Sequence, residues 1–586
     1  MSTKYDRIFI NGKIFTADEQ RPSADAFAVK DGRVAWIGDA RDLDTAGETT
    51  VDLEGRRVLP GFVDSHMHPI MLADTYKQIS CLPPVIHSIA ELTDEIAKVR
   101  ASQGPDRWIE GWGYDEGKLA EHRAPNRYDL DKGAADVPVS IIRTCGHVRC
   151  VNSKALELAG IDRNTPDPAG GKIDRDESGE PTGVLRENAR NLVTAVMPEI
   201  TIEQTVRNLA DMNEMLLSQG VTTIADMGNL TMDGTDYYAV YEAAREKGFL
   251  PRVGMYYMWD AYKNIDGFSI PAEKADPQNR TRAAGIKLIG DGSVSGRTAW
   301  CDRPYLGSDS DCGMPVCTPE DIQEAIAFCK KNKCQLSIHA MGARTIDRAV
   351  DAAWQEESWT REGTPYVRIE HVAMPTAQAI ERAASSGIAF VTQPIFLYAE
   401  IESYLTNLGP QWTKENYPIR DMIKAGINLS FSTDAPATAW ATPSDPFPCL
   451  KGAVTRVAYD GTDCGQEHRV DIETALRLYT AKAAPMLGFE DVGMLKEGYR
   501  ADFIILDRDI LAIPAEEIDQ VKVNKTFIDG FPVSRRAKKN KNKTACLRPF
   551  SRPQTGGSSF FIQFSGPRRQ SSVLARKAVQ QPSIQR

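Results

Sequence analysis

The chain has 586 residues, 42% of them hydrophobic, and a formal net charge of −10, an ordinary composition for a globular protein with room for one large domain and appendages. No run approaches the roughly 20 apolar residues needed to span a bilayer, and the first residues, Met-Ser-Thr-Lys-Tyr-Asp, lack the apolar stretch of a signal peptide, so a soluble, cytoplasmic protein without a membrane partner is expected. Thirteen Lys and Arg and no acidic residue fall between Arg535 and Arg586, which leaves −23 on the residues before them; so acidic a body gives no reason to expect nucleic acid as its partner.

Tyr5 to Thr16 and Ala26 to Ile37 alternate apolar and polar residues around the hairpin signals Asn11-Gly12 and Asp31-Gly32. A matching set lies at Ala501 to Leu506 and Gln520 to Val533, around Asp529-Gly530. Pairing the two sets predicts a small β-sandwich built from both termini, residues 1–57 and 491–534.

Val58 to Val63 reads as a short buried strand, followed by His66-Met67-His68. Side chains two apart on a strand point the same way, so two imidazoles project together as half of a metal site. The plain alternative is a pair of polar residues at a strand exit. The stretch from about 69 to 199 is turn-, Trp- and Pro-rich and too long for a loop; it is expected to be a subdomain inserted over the mouth of the main domain.

A regular alternation then sets in. After a helical pattern at Ile202 to Ser218, apolar strands are expected at Val221–Met227, Arg252–Trp259, Ile286–Ile289, Gln335–His339, Val367–Val372, Ile388–Gln393 and Ile427–Ser432, with amphipathic helices between most of them. With the strand before His66 that makes eight, and eight β/α repeats predict an α/β fold, a (β/α)8 TIM-like barrel spanning 58–490, with its site at the C-terminal strand ends. An open doubly wound sheet is the alternative, but no Gly-x-Gly-x-x-Gly follows the first strand.

The strand ends carry Lys287, His339, Glu370-His371 and Ser432-Thr433-Asp434; with His66 and His68 this places four of the chain's eight histidines there. Such a set suits zinc or a similar divalent ion, and two ions if a group bridges them. Lys287 is a poor ligand as an ammonium but a bridging anion as a carbamate; pairing with a carboxylate is its structural alternative. His147 is a candidate substrate contact, or else a histidine that packs within the insertion. Trp112, Tyr114 and Trp300 are candidates for an apolar wall, or for simple core. The eleven cysteines, at spacings such as Cys145/Cys150 and Cys329/Cys334, fit buried reduced thiols better than a zinc knuckle. The tail from 535 is expected to be disordered, a basic appendage for which a nuclear address or an anionic tether is the alternative.

On these stretches the chain resembles the YtcJ-like branch of the amidohydrolase superfamily, to which the N-substituted formamide deformylases belong. The resemblance is carried by Leu59 to His68, Gly146-His147, Asn152 to Leu156, Gly183 to Glu187, Lys287 to Ala299, Ile338 to Ala340, Ile369 to His371, Gln393-Pro394, Ser432 to Pro436 and Gly498 to Leu506, over residues 4–534. It implies a metal-dependent hydrolase acting on a C–N bond of a small amide, an N-formyl or N-acyl amine or a related imide or carbamate. His66, His68, His339, His371 and Asp434 carry over as ligands and Lys287 as a carbamylated bridge. In that implied mechanism a metal-activated hydroxide attacks the carbonyl, Asp434 shuttles the proton, His371 is a second catalytic residue, and the second ion or an imidazole stabilises the oxyanion. A non-catalytic binding protein, and an isomerase or lyase on the same centre, are the alternatives; a homodimer is left open. One departure stands out: Gly342-Ala343 occupies a place where many members have Gly-Asp.

Overall fold

The computed structural model of the chain describes residues 5–533 apart from 46–48, 106, 145 and 229–234; the tail, and with it the expectation of disorder, lies outside the described residues. Eight parallel strands form one sheet whose spatial order follows the chain: β1 Phe62–Asp64, β2 Val221–Asp226, β3 Arg252–Met258, β4 Thr281–Ile289, β5 Gln335–Ala340, β6 Val367–His371, β7 Ala389–Thr392 and β8 Asn428–Phe431. The first and last strands meet through Ser65, whose hydroxyl contacts Ser430 Oγ and donates to the Phe431 carbonyl, both at 2.9 Å, and through the Asp434 N–H to the His66 carbonyl at 2.8 Å. This is a TIM-like (β/α)8 barrel, as the repeat pattern predicts. Its strands are buried on both faces, which is why they read as unbroken apolar runs rather than alternating ones.

The helices follow from their periodicity and caps. Ile202–Ser218 starts at Thr201, whose hydroxyl accepts the Gln204 N–H, and buries Val206, Leu209, Met212 and Leu216, one face of a 3.6-residue repeat. Pro319–Asn332 begins with a reciprocal capping box between Thr318 and Asp321.

Two expectations needed correction. The single strand foreseen at Val58 to Val63 is two: Arg57–Pro60 belongs to the sandwich, Phe62–Asp64 to the barrel, and the chain crosses between them at Gly61. A Cβ there would lie 2.3 Å from Thr222 Oγ1, so only glycine fits the crossing. The strand foreseen at Ile286 begins instead at Thr281. Arg282 obscured it, because its charge reads as loop; in the fold its guanidinium is buried and donates to the carbonyls of Leu487 and Ala275.

Both termini build the sandwich. One sheet has the order 33–38, 26–30, 7–10, 50–52; the other runs 531–532, 523–528, 503–506, 57–60, 13–15, 23–24. Phe503–Leu506 pairs antiparallel with Arg57–Pro60, so strands from the two ends of the chain hydrogen-bond directly. Between the sheets, Phe9 stacks on Phe27 at 4.7 Å and Phe503 on Phe527 at 4.3 Å, the two stacks meeting edge to face at 5.0 Å.

The insertion forms a six-stranded sheet in the order 171–175, 181–187, 148–151, 139–143, 109–114, 79–80, with its own core around Leu92, Ile96, Leu130 and Ile141. It touches the barrel where Lys118 Nζ donates to the Ala399 carbonyl at 2.6 Å and to Glu402 at 2.7 Å, and where the Ala441 N–H reaches the Pro83 carbonyl. Among the described residues no helix is long and apolar enough to cross a membrane, and all nine described cysteines are unpaired thiols.

The phenylalanine cluster predicts that Phe503→Ala costs about 3–5 kcal/mol of stability, the usual penalty for emptying a large buried site. The midpoint of thermal or urea unfolding measures it; an unchanged midpoint would show that the packing of the two termini does not hold the body together.

Candidate metal centre

His66 and His68 follow directly on β1, with Met67 turned into the core between them. His66 is fully buried. Its Nδ1 lies 2.6 Å from Glu370 Oε2, which also accepts from the Arg368 guanidinium, while Glu370 Oε1 accepts from Ser337 Oγ at 2.7 Å. Burial alone would push the Glu370 carboxyl up, but the Arg368 guanidinium and then the His66 ring beside it outweigh that and hold it well below the usual carboxylate range. An ionised carboxylate can only accept, so His66 Nδ1 carries a proton and Nε2 is the nitrogen that faces Asp434 Oδ1, 3.3 Å away.

The other three imidazoles are fixed in the same manner. His68 Nδ1 donates to the Gly228 carbonyl at 3.0 Å, His371 Nδ1 to Gln393 Oε1 at 3.0 Å, and His339 Nε2 to the Gly292 carbonyl at 2.9 Å. Gln393 is held in turn by its amide N–H on Ser432 Oγ at 2.8 Å, which assigns its oxygen to His371. Burial, followed by Lys287, pulls His339 down to about 4, and burial with the neighbouring His339 and His66 pulls His371 well below its ordinary value. These two rings are neutral at physiological pH, with a free nitrogen each.

Asp434, on the loop after β8, brings the set together. Its Oδ1 lies 3.3 Å from His66 Nε2 and 3.4 Å from His68 Nε2, and its Oδ2 4.0 Å from His371 Nδ1. His66 and His371 have ring centroids 4.7 Å apart, His339 and His371 4.3 Å. His66, His371 and Asp434 each offer a ligand atom within 4.8 Å of the other two. Lys287, on β4, is buried, and burial draws its ammonium down to about 8.

Three buried polar atoms here have no hydrogen-bond partner: His66 Nε2, Lys287 Nζ and Asp434 Oδ1. His66 Nε2 and Asp434 Oδ1 lie buried 3.3 Å apart, and a divalent cation is a group that would satisfy both the imidazole and the carboxylate. The donor set therefore fits a divalent ion. The backbone is strained at the same points. His371, Val372 and Asp434 have φ of 73, 52 and 60°, in the left-handed region that costs a non-glycine residue about 1–3 kcal/mol.

The cluster opens into a cavity of about 390 Å3 whose walls include Thr144, Ile289, Val294, Met341, Phe396, Glu400 and Tyr404. Of the residues expected at the site, His66, His68, Lys287, His339, His371 and Asp434 all line this cavity. His147, Trp112 and Trp300 do not: His147 is exposed and bonded to Glu187 at 2.9 Å, Trp112 sits within the insertion's sheet, and the Trp300 ring lies under Arg348. Tyr114 is buried in the insertion's own core. The insertion contributes Thr144 instead, a residue that no motif marks.

Sequence reasoning also missed three supporting side chains. Glu370 and Gln393 were visible within motifs but carry no sign of which histidine each holds. Asp291 was not singled out; it accepts the N–H groups of Met341, Gly342 and Trp300, fixing the turn after β5. At the Gly342-Ala343 departure the helix Ala343–Asp351 starts without a side-chain cap, and Asp291 binds the N–H groups just before it. A Cβ on Gly342 would fall 2.3 Å from the Trp300 carbonyl.

The comparisons with known proteins agree with this geometry. The chain is 27% identical over 553 residues to an N-substituted formamide deformylase of Arthrobacter pascens, covering 90% of this chain and 98% of that one. It is 29% identical to the putative amidohydrolase YtcJ of Bacillus subtilis, covering 89% and 98%. The crystal structure of an uncharacterized metal-dependent hydrolase from Pyrococcus horikoshii superposes with a TM-score of 0.68 at 28% identity, over 87% of this chain and 99% of that one. The amidohydrolase family model matches residues 49–534, through the insertion, the barrel and the closing strands of the sandwich, and the chain belongs to that family.

Proposed function

We propose that the protein is a metal-dependent hydrolase that cleaves a C–N bond in a small amide, an N-formyl or N-acyl amine or a related imide or carbamate. The observation that carries this reading is the cluster of unpartnered polar atoms, His66 Nε2 and Asp434 Oδ1 with His68 Nε2 3.4 Å from the same oxygen. The similarity to the Arthrobacter formamide deformylase points to the bond type.

His66, His68, His339, His371 and Asp434 would hold the metal, zinc being the ion that this set of four imidazoles and one carboxylate suits. A divalent ion there supplies Lewis acidity, lowering the pKa of a water and polarising a carbonyl. As a carbamate Lys287 would supply anionic oxygens to the metal: an amine with its pKa near 8 has an appreciable neutral fraction, the form that adds carbon dioxide and releases a proton. Asp434 faces the cavity and accepts the proton of the attacking water, then returns it to the leaving nitrogen. The four imidazole N–H groups are all committed, to Glu370, Gly228, Gln393 and Gly292. With those N–H groups turned to their partners, a bound ion would supply the charge that stabilises the carbonyl oxygen as it becomes negative.

Elemental analysis of the purified protein is expected to find about two equivalents of zinc or a similar ion, with intact mass showing one added carbon dioxide and chelation removing metal and amidase activity together. A single equivalent would return Lys287 to a structural role; no metal after reconstitution would overturn the reading. His66→Ala and Asp434→Ala are expected to lose turnover of N-formyl amines by at least about a thousandfold while still folding, checked by kcat/KM alongside circular dichroism. Glu370→Gln removes the charge that orients His66, and is expected to weaken metal affinity by about 10–100-fold, read by competition with a chromogenic chelator. Unchanged affinity would separate Glu370 from the metal site.

A further inference from the structure

One acidic side chain in the cavity is left unused by this chemistry. Glu400 stands between the helices Pro394–Ala399 and Ile401–Glu415, where the backbone leaves the helical path at φ −120° and ψ 25°. Phe396, one turn before it, lies near-parallel to His371 with centroids 6.0 Å apart, and Tyr404, one turn after it, lines the same cavity. Glu400 Oε1 accepts the N–H of Ala439 at 3.2 Å, on the loop that carries Asp434. The carboxyl is thus tied to the same loop as the metal cluster.

Its other oxygen has no hydrogen-bond partner among the described residues, and the carboxyl forms no ion pair there. The nearest cation, Lys118, is spent on the Ala399 carbonyl and on Glu402. Burial pushes the Glu400 carboxyl up to about 7; the Ala439 N–H and Lys118 oppose this, while Asp434 and Asp115 add to it. Away from the metal cluster, the cavity wall is shared between apolar Ile289, Val294, Met341, Phe396 and Ala437 and the hydroxyls of Thr144, Ser293 and Ser295. Glu400 is half-buried, and its carboxyl, facing the cavity with one oxygen uncommitted, is an acceptor that a ligand's charged N–H can meet.

We propose that Glu400 is a specificity residue that binds a protonated nitrogen on the substrate, so that the favoured amides carry an ammonium or guanidinium group on an apolar body. This rests on the hydrolase reading above. Phe396 and Tyr404 flank the apolar part, and Glu400 Oε2 receives the charged N–H.

The test uses the full-length, zinc-reconstituted chain and a matched pair of formamides, N-(4-aminomethylbenzyl)formamide and N-(4-methylbenzyl)formamide. Wild type is expected to show kcat/KM roughly ten- to a hundredfold higher for the cationic member, the size of one charge-assisted hydrogen bond. In Glu400→Gln, which keeps an acceptor for the Ala439 N–H, that ratio collapses to about one. A wild-type ratio near one, or a ratio that survives in Glu400→Gln, overturns the proposal. If wild type cleaves neither amide, the hydrolase reading fails on its own, and titration calorimetry with benzylamine against benzyl alcohol decides the role of Glu400. Tighter binding of benzylamine that is lost in Glu400→Gln supports it, and equal binding of the two probes overturns it.

Discussion

A buried charge pair, Arg368 with Glu370, is the constraint on which the rest of the site depends. Both side chains are fully buried and both lie on β6, two residues apart and on the same face. Arg368 satisfies its donors on Glu370, on Tyr256 Oη at 3.1 Å, and on the carbonyls of Met486 and Ser65. Those partners come from β3, from the helix near the end of the barrel and from the segment after β1, so one guanidinium ties distant parts of the chain together at the barrel axis. Two isolated buried charges would each cost several kcal/mol. Here every charged atom is paired, and the outcome is a carboxylate that stays ionised beneath His66 and dictates which of its nitrogens faces the cavity.

The same logic, an acceptor behind each ligand, recurs around the cluster. Gln393, Gly228 and Gly292 each accept from one imidazole nitrogen and so fix which way the opposite nitrogen points. Two further buried carboxylates hold the backbone instead. Asp64 accepts the hydroxyls of Thr433 and Tyr479 and so fixes the approach to Asp434, while Asp291 gathers the N–H groups of Met341 and Gly342 after β5 and of Trp300 on the segment after β4. The left-handed φ values at His371, Val372 and Asp434 persist because these bonds over-determine the loops. A site assembled from five strand ends can be held this tightly only if the strands themselves do not move, and strands buried on both faces meet that condition.

Much of this was legible in the sequence. Eight apolar runs with helical patterns between them specify a barrel because the burial of parallel strands imposes a continuous hydrophobic signal. The residues His66, His68, Lys287, His339, His371 and Asp434 could be picked out because each follows or ends such a run. The places where the reading went astray have physical causes. Gly61 lies inside an apolar run, and no local feature distinguishes a strand from two strands that change sheets at a glycine. Arg282 disguised the start of β4, since a buried arginine looks like a surface one until its carbonyl partners are known. Trp112 and Trp300 were attractive because aromatic residues line many pockets, yet they line many cores too.

Local periodicity, chain order and residue chemistry pointed to the barrel, the sandwich strands and the metal-type residues, because each leaves a signal within a strand, a helix or a turn, although the pairing of Arg57–Pro60 with Phe503–Leu506 itself joins the two ends of the chain. The tertiary structure alone decided the tautomer of each histidine, the pairing of Glu370 with His66, the exclusion of His147 from the cavity and the placement of Glu400 in its wall. Those depend on groups up to 304 residues apart, as His66 and Glu370 are. Their separation in space is set by the closure of the whole barrel, which no window of sequence contains.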